Sequence, residues 1–245
     1  MIGRLLGRIA GRGPSLSDLK PDVPFVAIGD VHGRLDLLEI LLDKLPDVQV
    51  VLVGDYVDRG DDSAGVLRLL SGRPDLICLN GNHEDLMLGF IKAPERNGAR
   101  WLRYGGLQTL ASYGVKGMTE TSSEDAMITA RDQLIDAMGA ETLDWLKSRP
   151  ASWQTGNVAV VHAGADPTVP IYDQSVKTLY WGHSDFTKKR RRDGVWVVHG
   201  HTIVDAPEIL RERIAIDTGA YATGRLSAVH VDRASARFET VTVQR

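Results

Sequence analysis

The chain of 245 residues contains a single cysteine, Cys78, so an internal disulfide is excluded. The residue lies in the apolar stretch DLICLN, and we interpret it as a buried strand residue rather than a reactive thiol. Proteins without disulfides are typical of reducing compartments. We therefore expect a cytoplasmic location.

Long apolar runs and a strong excess of one charge are also missing. No run approaches the roughly 18 residues that a membrane-spanning helix needs. The net charge is −3, and we expect no nucleic-acid partner. Hydrophobic residues make up 43% and charged residues 25%, which is an ordinary globular composition. The length suits one large domain or two small ones.

The first 22 residues differ from the rest of the chain. Arg4, Arg8 and Arg12 recur at a spacing of four, with apolar residues between them. We predict a basic, flexible N-terminal tail over residues 1–22, because glycines interrupt its helical pattern. The alternative is a weak basic helix that contacts a membrane surface or a partner. Residues 23–245 are predicted to form a single domain.

Strand and helix patterns alternate from residue 24 onward. The buried strand patterns FVAI, VQVVLV and DLICLN are each followed by a helical pattern. From residue 150 the chain is rich in short strands, among them NVAVVHAG, GVWVVHGHT and RLSAVHVD. The order predicts the α/β class, with two mixed sheets facing each other and helices outside. We predict that residues 93–130 and 165–194 are loops that shape a pocket.

Polar side chains follow five of the predicted strands where each strand ends. The intervals from Asp30 to Asp55 and from Asp55 to Asn82 are 25 and 27 residues, about one strand–helix unit each. Side chains at the carboxyl ends of such strands gather at one edge of the sheet. The residues at the five ends are Asp30, His32, Asp55, Asp58, Arg59, Asn82, His83, Glu84, His162, His199 and His201.

This mixture of carboxylate, imidazole and carboxamide groups is typical of a site for borderline divalent metals. Alone, each group has an ordinary structural explanation, such as a helix cap or a core histidine. Together they favour two metals that share a bridging carboxylate. Glycines flank the motifs, and we expect positive φ angles there: Gly29, Gly33, Gly54, Gly60 and Gly81.

The motifs GDVHG, GDYVDRG, GNHE, VHAG and GHT resemble, in this order, the phosphoprotein phosphatase family of calcineurin-like metallophosphoesterases. The resemblance covers residues 25–231. The flanking stretches GGLQTLASYG and IAIDTGAYATGRLSAV resemble the compact bacterial branch, which includes serine/threonine phosphatases and diadenosine tetraphosphatases. The resemblance implies an αββα sandwich, with two sheets between outer helices.

The resemblance also implies a role for each matching residue. Asp30 and His32 would hold the first metal and Asp55 would bridge both, while the second would be held by Asn82, His162 and His201. Manganese is favoured for both positions, with iron, zinc, cobalt and nickel as alternatives. His199 would pack behind the site. The catalytic residues would be Arg59, which grips phosphate oxygens, and the general acid His83, oriented by Asp58.

One position departs from the family pattern. The family usually has a second phosphate-binding arginine two residues after a tryptophan, whereas Trp181 here is followed at that position by His183. A histidine is a poorer phosphate ligand. An arginine of the following loop, among Arg190, Arg191 and Arg192, could replace the missing one. The candidate substrate-binding residues are therefore Arg59, His183 and Arg190.

Three functions remain open at this point. The first is a phosphatase that hydrolyses phosphomonoesters, on phosphoserine or phosphothreonine in proteins, by direct attack of a metal-bridging hydroxide. The second is a symmetrical diadenosine tetraphosphate pyrophosphohydrolase. The intact VDRG motif favours the first, because tetraphosphatases of this kind often lack its aspartate. The third is a non-catalytic binding module, which would require a lost ligand.

Overall fold

Two five-stranded sheets form the centre of the molecule in the computed structural model, which describes residues 16–243. The strands are β1 (Phe25–Ile28), β2 (Gln49–Leu52), β3 (Leu76–Cys78), β4 (Ser152–Thr155), β5 (Val158–Val161), β6 (Trp196–His199), β7 (Glu208–Leu210), β8 (Arg213–Ala215), β9 (Arg225–Asp232) and β10 (Ser235–Thr242). The first sheet has the order β10-β9-β1-β2-β3 and the second β4-β5-β6-β8-β7.

Helices cover the outer faces of the two sheets. They are α1 (Leu35–Leu42), α2 (Ser63–Ser71), α3 (Asn82–Lys92), α4 (Pro94–Trp101), α5 (Leu107–Ser112), α6 (Glu124–Met138), α7 (Ala140–Lys147), α8 (Val176–Trp181) and α9 (Ala220–Thr223). Across residues 16–243, none of the helices combines the length and apolar character that crossing a bilayer requires. The predicted α/β architecture with two mixed sheets flanked by helices is confirmed.

The central strands read as continuous apolar runs because both of their faces are buried. In β1, Val26 and Ile28 face the helices, whereas Phe25 and Ala27 face the second sheet. Val160 of β5 belongs to the same core between the sheets. A strand that alternated apolar and polar residues would bury unpaired polar groups on one of these faces. The central strands therefore carry apolar residues on both faces.

Parallel pairing in the middle of each sheet sets the position of the functional residues. Strands β1, β2 and β3 pair in parallel in the first sheet, and β5, β6 and β8 do so in the second. The antiparallel strands β9 and β10, β4 and β7 lie outside these groups. The carboxyl ends of the parallel strands in each sheet therefore lie on one side.

The region predicted as a loop over residues 93–130 is largely helical. It contains α4, a single π-helical turn (Leu102–Gly106), α5 and the beginning of α6. Trp101 is buried and stacks on Phe90 of α3, with ring centroids 4.6 Å apart. The prediction was wrong here because α4 is short and polar, and its buried residues are Pro94, Gly98 and Trp101 rather than an apolar stripe.

Part of the predicted tail packs against the domain. Leu19 is buried in the core between the sheets. The side chain of Asn157 accepts a hydrogen bond from the backbone N–H of Lys20 and donates one to the carbonyl of Asp18. Residues 16–22 therefore do not belong to a flexible tail, and the rest of the predicted tail lies outside the described residues.

We predict that Leu19→Ala lowers the free energy of unfolding by about 2–4 kcal/mol, because it leaves a cavity between the sheets. The matched control is Leu16→Ala, three residues earlier and 37% exposed, which should change stability by less than about 0.5 kcal/mol. Urea unfolding of the two variants measures the difference. Equal stability of the two would contradict the packing of this segment.

Candidate metal centre

Asp55 lies at the centre of the candidate site. It follows β2 and is buried. Its Oδ2 is 3.5 Å from Nε2 of His32, and its Oδ1 is 3.4 Å from Nε2 of His162. The backbone N–H of His83 donates a hydrogen bond to Oδ1 at 3.0 Å. The two oxygens of this carboxylate thus face two different sets of imidazoles, which is the geometry of a bridging ligand.

Two groups of potential metal ligands share Asp55. In the first, His32, Asp55 and His83 offer ligand atoms within 4.8 Å of one another. In the second, Asp55, His162 and His201 do so. Oδ1 of Asn82 adds to the second group, at 2.8 Å from Nε2 of His162 and 2.7 Å from Nδ1 of His201.

The backbone fixes which ring nitrogen of two histidines faces the centre. Nδ1 of His32 is 2.7 Å from the carbonyl of Val57, and Nδ1 of His162 is 3.2 Å from the carbonyl of Val53. Each Nδ1–H can donate to its carbonyl, which leaves the lone pair of Nε2 directed inward. Burial lowers the pKa of His32 to about 3 and that of His162 to about 4, so both rings are neutral at pH 7.

Asp30 approaches the centre from the end of β1. Both of its carboxylate oxygens accept hydrogen bonds from the backbone N–H of His201, at 3.2 and 3.0 Å. Burial and then the charge of Asp217 raise the pKa of Asp30 well above its ordinary value. Burial likewise raises the pKa of Asp217 to about 6. These carboxylates repel one another unless a cation lies near them.

The residues fit a pair of divalent cations. Nδ1 of His162 donates to a carbonyl, so Nε2 of the same ring is an acceptor. Oδ1 of Asn82, a second acceptor, lies 2.8 Å from this Nε2. A cation bound to both atoms would satisfy both acceptors. Nε2 of His83 is buried and has no hydrogen-bond partner among residues 16–243. The donor set of nitrogen and oxygen atoms, without thiolate, suits borderline divalent metals.

His83 and Asp58 form a buried pair beside the first ligand group. Nδ1 of His83 is 2.7 Å from Oδ2 of Asp58, and Oδ1 of Asp58 accepts hydrogen bonds from Trp101 and Thr109. Burial alone lowers the pKa of His83, but the charge of Asp55 and the hydrogen bond to Asp58 outweigh it and raise that pKa. The imidazolium form, which can donate a proton, is therefore favoured.

Arg59 directly follows Asp58, and its guanidinium lies against His32. Its Nη1 donates a hydrogen bond to Nε2 of His32 at 3.2 Å, and its Cζ is 4.9 Å from the centroid of the Tyr221 ring. The aromatic contact supports the guanidinium while its other N–H groups remain available to an anion.

The backbone of the site is strained at several positions. Five of the seven non-glycine residues with positive φ in the described chain are site residues: His32, Asp55, Asp58, Arg59 and His201. Such angles disfavour side chains, and they persist where the surrounding structure enforces them. The site is therefore held by the fold rather than by local preference.

The flanking glycines serve two purposes rather than one. Gly33 and Gly54 have the predicted positive φ, at 64° and 110°. Gly60 does not, and a Cβ there would overlap the carbonyl oxygen of His32. The prediction of positive φ is wrong for Gly29, Gly60 and Gly81, where the requirement is close approach of neighbouring segments.

One of the predicted substrate-binding residues, Arg190, lies away from the ligand groups. Arg190 pairs with Glu212, which precedes β8 and so lies at the amino end of that strand, away from the carboxyl ends. The prediction that Arg190 reaches the phosphate is wrong in this structure. Nε2 of His183 is 3.5 Å from Asp166, and Arg191 is buried with its guanidinium on Asp166 and Val169 carbonyls.

His199 packs outside the ligand groups, as expected. Its ring lies 5.0 Å from the ring of Phe186, and burial lowers its pKa to about 4.

Glu84 holds the backbone of the centre, a role that was not predicted from the sequence. Its two carboxylate oxygens accept hydrogen bonds from the N–H groups of Gly81, Asp55 and Tyr56, each at 2.8 Å. The signal was available, because a glutamate at the third position of a helix commonly caps its start. Asp217 was also missed, although it follows β8 as Asp30 follows β1 and Asp55 follows β2.

Several known proteins resemble this chain over most of its length. The family model described as calcineurin-like phosphoesterase matches residues 23–205. Serine/threonine-protein phosphatase 2 of Salmonella typhimurium is 28% identical, over 82% of this chain and 89% of that protein. The asymmetrical bis(5'-nucleosyl)-tetraphosphatase PrpE of Oceanobacillus iheyensis is 31% identical, over 82% and 86%.

A solved structure of a candidate diadenosine tetraphosphatase has the same fold. It superposes with a TM-score of 0.62 at 21% identity and covers 90% of this chain and 96% of its own.

We predict that Mn²⁺ at 100 times its dissociation constant stabilises the metal-free protein by about 2.7 kcal/mol and raises Tm by roughly 5–10 °C. Asp55→Asn should lose most of this increase, because the variant lacks the carboxylate shared by both ligand groups. Differential scanning calorimetry with and without Mn²⁺ measures the shift. Asp47→Asn, which changes an exposed carboxylate, is the control. An unchanged shift in Asp55→Asn would contradict the assignment.

Proposed function

Because the chain belongs to the calcineurin-like phosphoesterase family, we propose that it is a phosphatase for phosphomonoesters with a poor leaving group. Its relatives are phosphatases and phosphoesterases, and the chain is a hydrolase of phosphoric esters. Since ligand-type side chains occupy all six expected positions, the alternative of a non-catalytic module has no support.

The observation that carries the proposal is the buried pair of His83 and Asp58. The free Nε2 of His83 lies 4.0 Å from Oδ2 of Asp55, so it points to the same place as the candidate ligands. An alkoxide is a poor leaving group and needs a proton as the bond to phosphorus breaks. A histidine with a raised pKa, held by a carboxylate, is suited to donate it.

We assign the metal ligands as the family resemblance implies. Asp30 and His32 would hold one cation, Asp55 would be shared, and Asn82, His162 and His201 would hold the other. When bound, two divalent cations supply a water molecule of lowered pKa and neutralise negative charge on the phosphate. Manganese is the proposed metal, since the ligand set is rich in oxygen and lacks thiolate.

Arg59 orients the phosphate in this proposal. Its guanidinium offers two parallel N–H donors, which match two oxygens of a phosphoryl group. The Tyr221 ring, 4.9 Å from Cζ, limits the guanidinium to a narrow range of positions. A fixed donor pair stabilises charge on the phosphoryl oxygens without reorganisation during the reaction.

Phosphoserine and phosphothreonine in proteins are the proposed substrates, because their leaving groups are alkoxides. The Salmonella typhimurium relative, named as a serine/threonine-protein phosphatase, supports this assignment.

A second candidate is hydrolysis of a dinucleoside tetraphosphate, which the name of the Oceanobacillus iheyensis relative favours. That name specifies asymmetrical cleavage, whereas the alternative from the sequence was symmetrical. The retained Asp58 favours the monoester, since a nucleotide is a better leaving group and depends less on an acid.

A comparison of three substrates tests the proposal. p-Nitrophenyl phosphate, a phosphoserine peptide and diadenosine tetraphosphate are assayed in parallel with Mn²⁺, and again after chelation. We expect metal-dependent hydrolysis of the two monoesters. Turnover of the dinucleotide alone would overturn the proposal and support the second candidate.

We predict that His83→Asn and Asp58→Asn each lower kcat on the phosphoserine peptide by about 10²–10⁴-fold, with a smaller loss on p-nitrophenyl phosphate. The aryl ester loses less because its leaving group needs less protonation. His230→Asn, which changes a histidine paired with Glu239 on β9 and β10, should keep kcat on both substrates. Equal losses on both esters in His83→Asn would remove it from the acid role.

The pH profile of the peptide reaction gives an independent measurement. Activity should fall as pH rises through the pKa of His83, because the imidazolium loses its proton, and cations beside Asp55 should lower that pKa relative to the metal-free protein. Asp58→Asn removes a hydrogen bond that raises this pKa, so the falling limb of its residual activity should move to lower pH.

A further inference from the structure

A surface pocket outside the two ligand groups is lined by residues of α3, α4 and α8. It encloses about 530 Å³ and is lined by Asp85, Arg100, Val176, Lys177, Tyr180 and Trp181. We call this set the α4–α8 shelf, after α8, which contributes four of its six residues, and α4, which contributes Arg100. None of these residues belongs to the proposed metal ligands or to the acid pair.

An aromatic contact connects the shelf to the catalytic site. The ring of Tyr104 lies 6.3 Å from the ring of His83, and Cζ of Arg100 lies 6.0 Å from the ring of Tyr104. The guanidinium of Arg100 is therefore no more than about 12 Å from the ring of His83. Asp85, two residues after His83 in α3, accepts a hydrogen bond from Trp181 at 3.1 Å.

The chemistry proposed for His83 determines what lies on this side. A general acid must be within hydrogen-bonding reach of the leaving oxygen, so the leaving group lies next to His83. Arg59 is bound to His32 and Tyr221 and also lies near His83. In the proposed function it contacts the phosphoryl oxygens, whereas Tyr104 and Arg100 connect His83 to the shelf.

The charge of the shelf is positive. Arg100 and Lys177 are exposed, and within residues 16–243 neither has a carboxylate within ion-pair distance. The carboxylate of Asp85 is bound to the indole of Trp181. Cζ of Arg100 lies 5.0 Å from the Trp181 ring, and a guanidinium over a ring keeps its N–H edge free for a carboxylate.

We propose that the α4–α8 shelf binds an acidic side chain of a phosphopeptide, close to the serine or threonine whose oxygen leaves phosphorus. The proposal rests on the phosphopeptide activity proposed above. A span of at most about 12 Å corresponds to up to roughly four residues of extended chain. The exposed side chains of Tyr104 and Val176, 41% and 54% accessible, offer apolar contact to the peptide between these points.

The test uses two phosphoserine peptides that differ only in having glutamate or glutamine two to four residues from the phosphoserine on both sides. We expect the wild type to prefer the acidic peptide by roughly three- to tenfold in kcat/KM, through KM, as for a partly exposed ion pair. Arg100→Gln should abolish the preference and Lys177→Gln should reduce it. High salt should weaken it in the wild type.

Arg103→Gln is the matched control, because Arg103 follows α4, is exposed, and pairs with Glu120 instead of facing the shelf. It should keep the preference. The ratio of the two peptides in one preparation is independent of how much of a variant is folded, and an Mn²⁺-dependent increase in Tm confirms that Arg100→Gln folds.

Each remaining outcome overturns the proposal in a distinct way. If the wild type hydrolyses both peptides equally well, or if Arg100→Gln keeps the preference, the shelf does not bind acidic side chains of the peptide. The proposed phosphatase activity is unaffected by either result. If Arg100→Gln weakens inhibition by tripolyphosphate and the peptides are equivalent, the shelf serves a polyphosphate leaving group. If neither peptide is hydrolysed, the proposed function itself fails.

Discussion

The shared position of Asp55 between two imidazole groups is the constraint on which the rest of the site depends. A buried carboxylate persists only where hydrogen bonds or cations compensate the loss of water. Here its oxygens lie 3.5 and 3.4 Å from Nε2 of His32 and of His162, on two different sheets. The contact between Asp55 of the first sheet and His162 of the second therefore limits how far apart the two sheets can lie at this edge. The core between the sheets must fill the space that this contact allows.

Glu84 shows how the fold meets this constraint. It accepts hydrogen bonds from the consecutive N–H groups of Asp55 and Tyr56, so it holds the backbone rather than the metal. Burial and then the charge of Asp55 raise the pKa of Glu84 to about 7. A second buried acid is thus placed beside the first at an energetic cost. That cost falls when cations bind near Asp55, because they offset the negative charge that both acids share.

The general placement of the site could be predicted from the sequence. Strand patterns that end in Asp30, Asp55 and Asn82 imply convergence, because parallel strands present their ends at one edge. Side-chain direction could not be predicted in the same way. Arg190 lies within a run of basic residues, and only the folded chain shows that its partner is Glu212 at the other end of β8. Such pairing depends on contacts between residues far apart in the chain.

The rim of the site was the least predictable part, for a physical reason. The central strands are buried on both faces and therefore carry a strong apolar signal, whereas the buried residues of α4 are Pro94, Gly98 and Trp101. The exposed residues of such a helix can change with little loss of stability. They can therefore vary while Trp101, which donates a hydrogen bond to Asp58, stays in place. His183, bound to Asp166, shows such a change at a position where the family pattern has an arginine. A cation on the rim, such as Arg100, can alter which leaving group binds without moving a metal ligand.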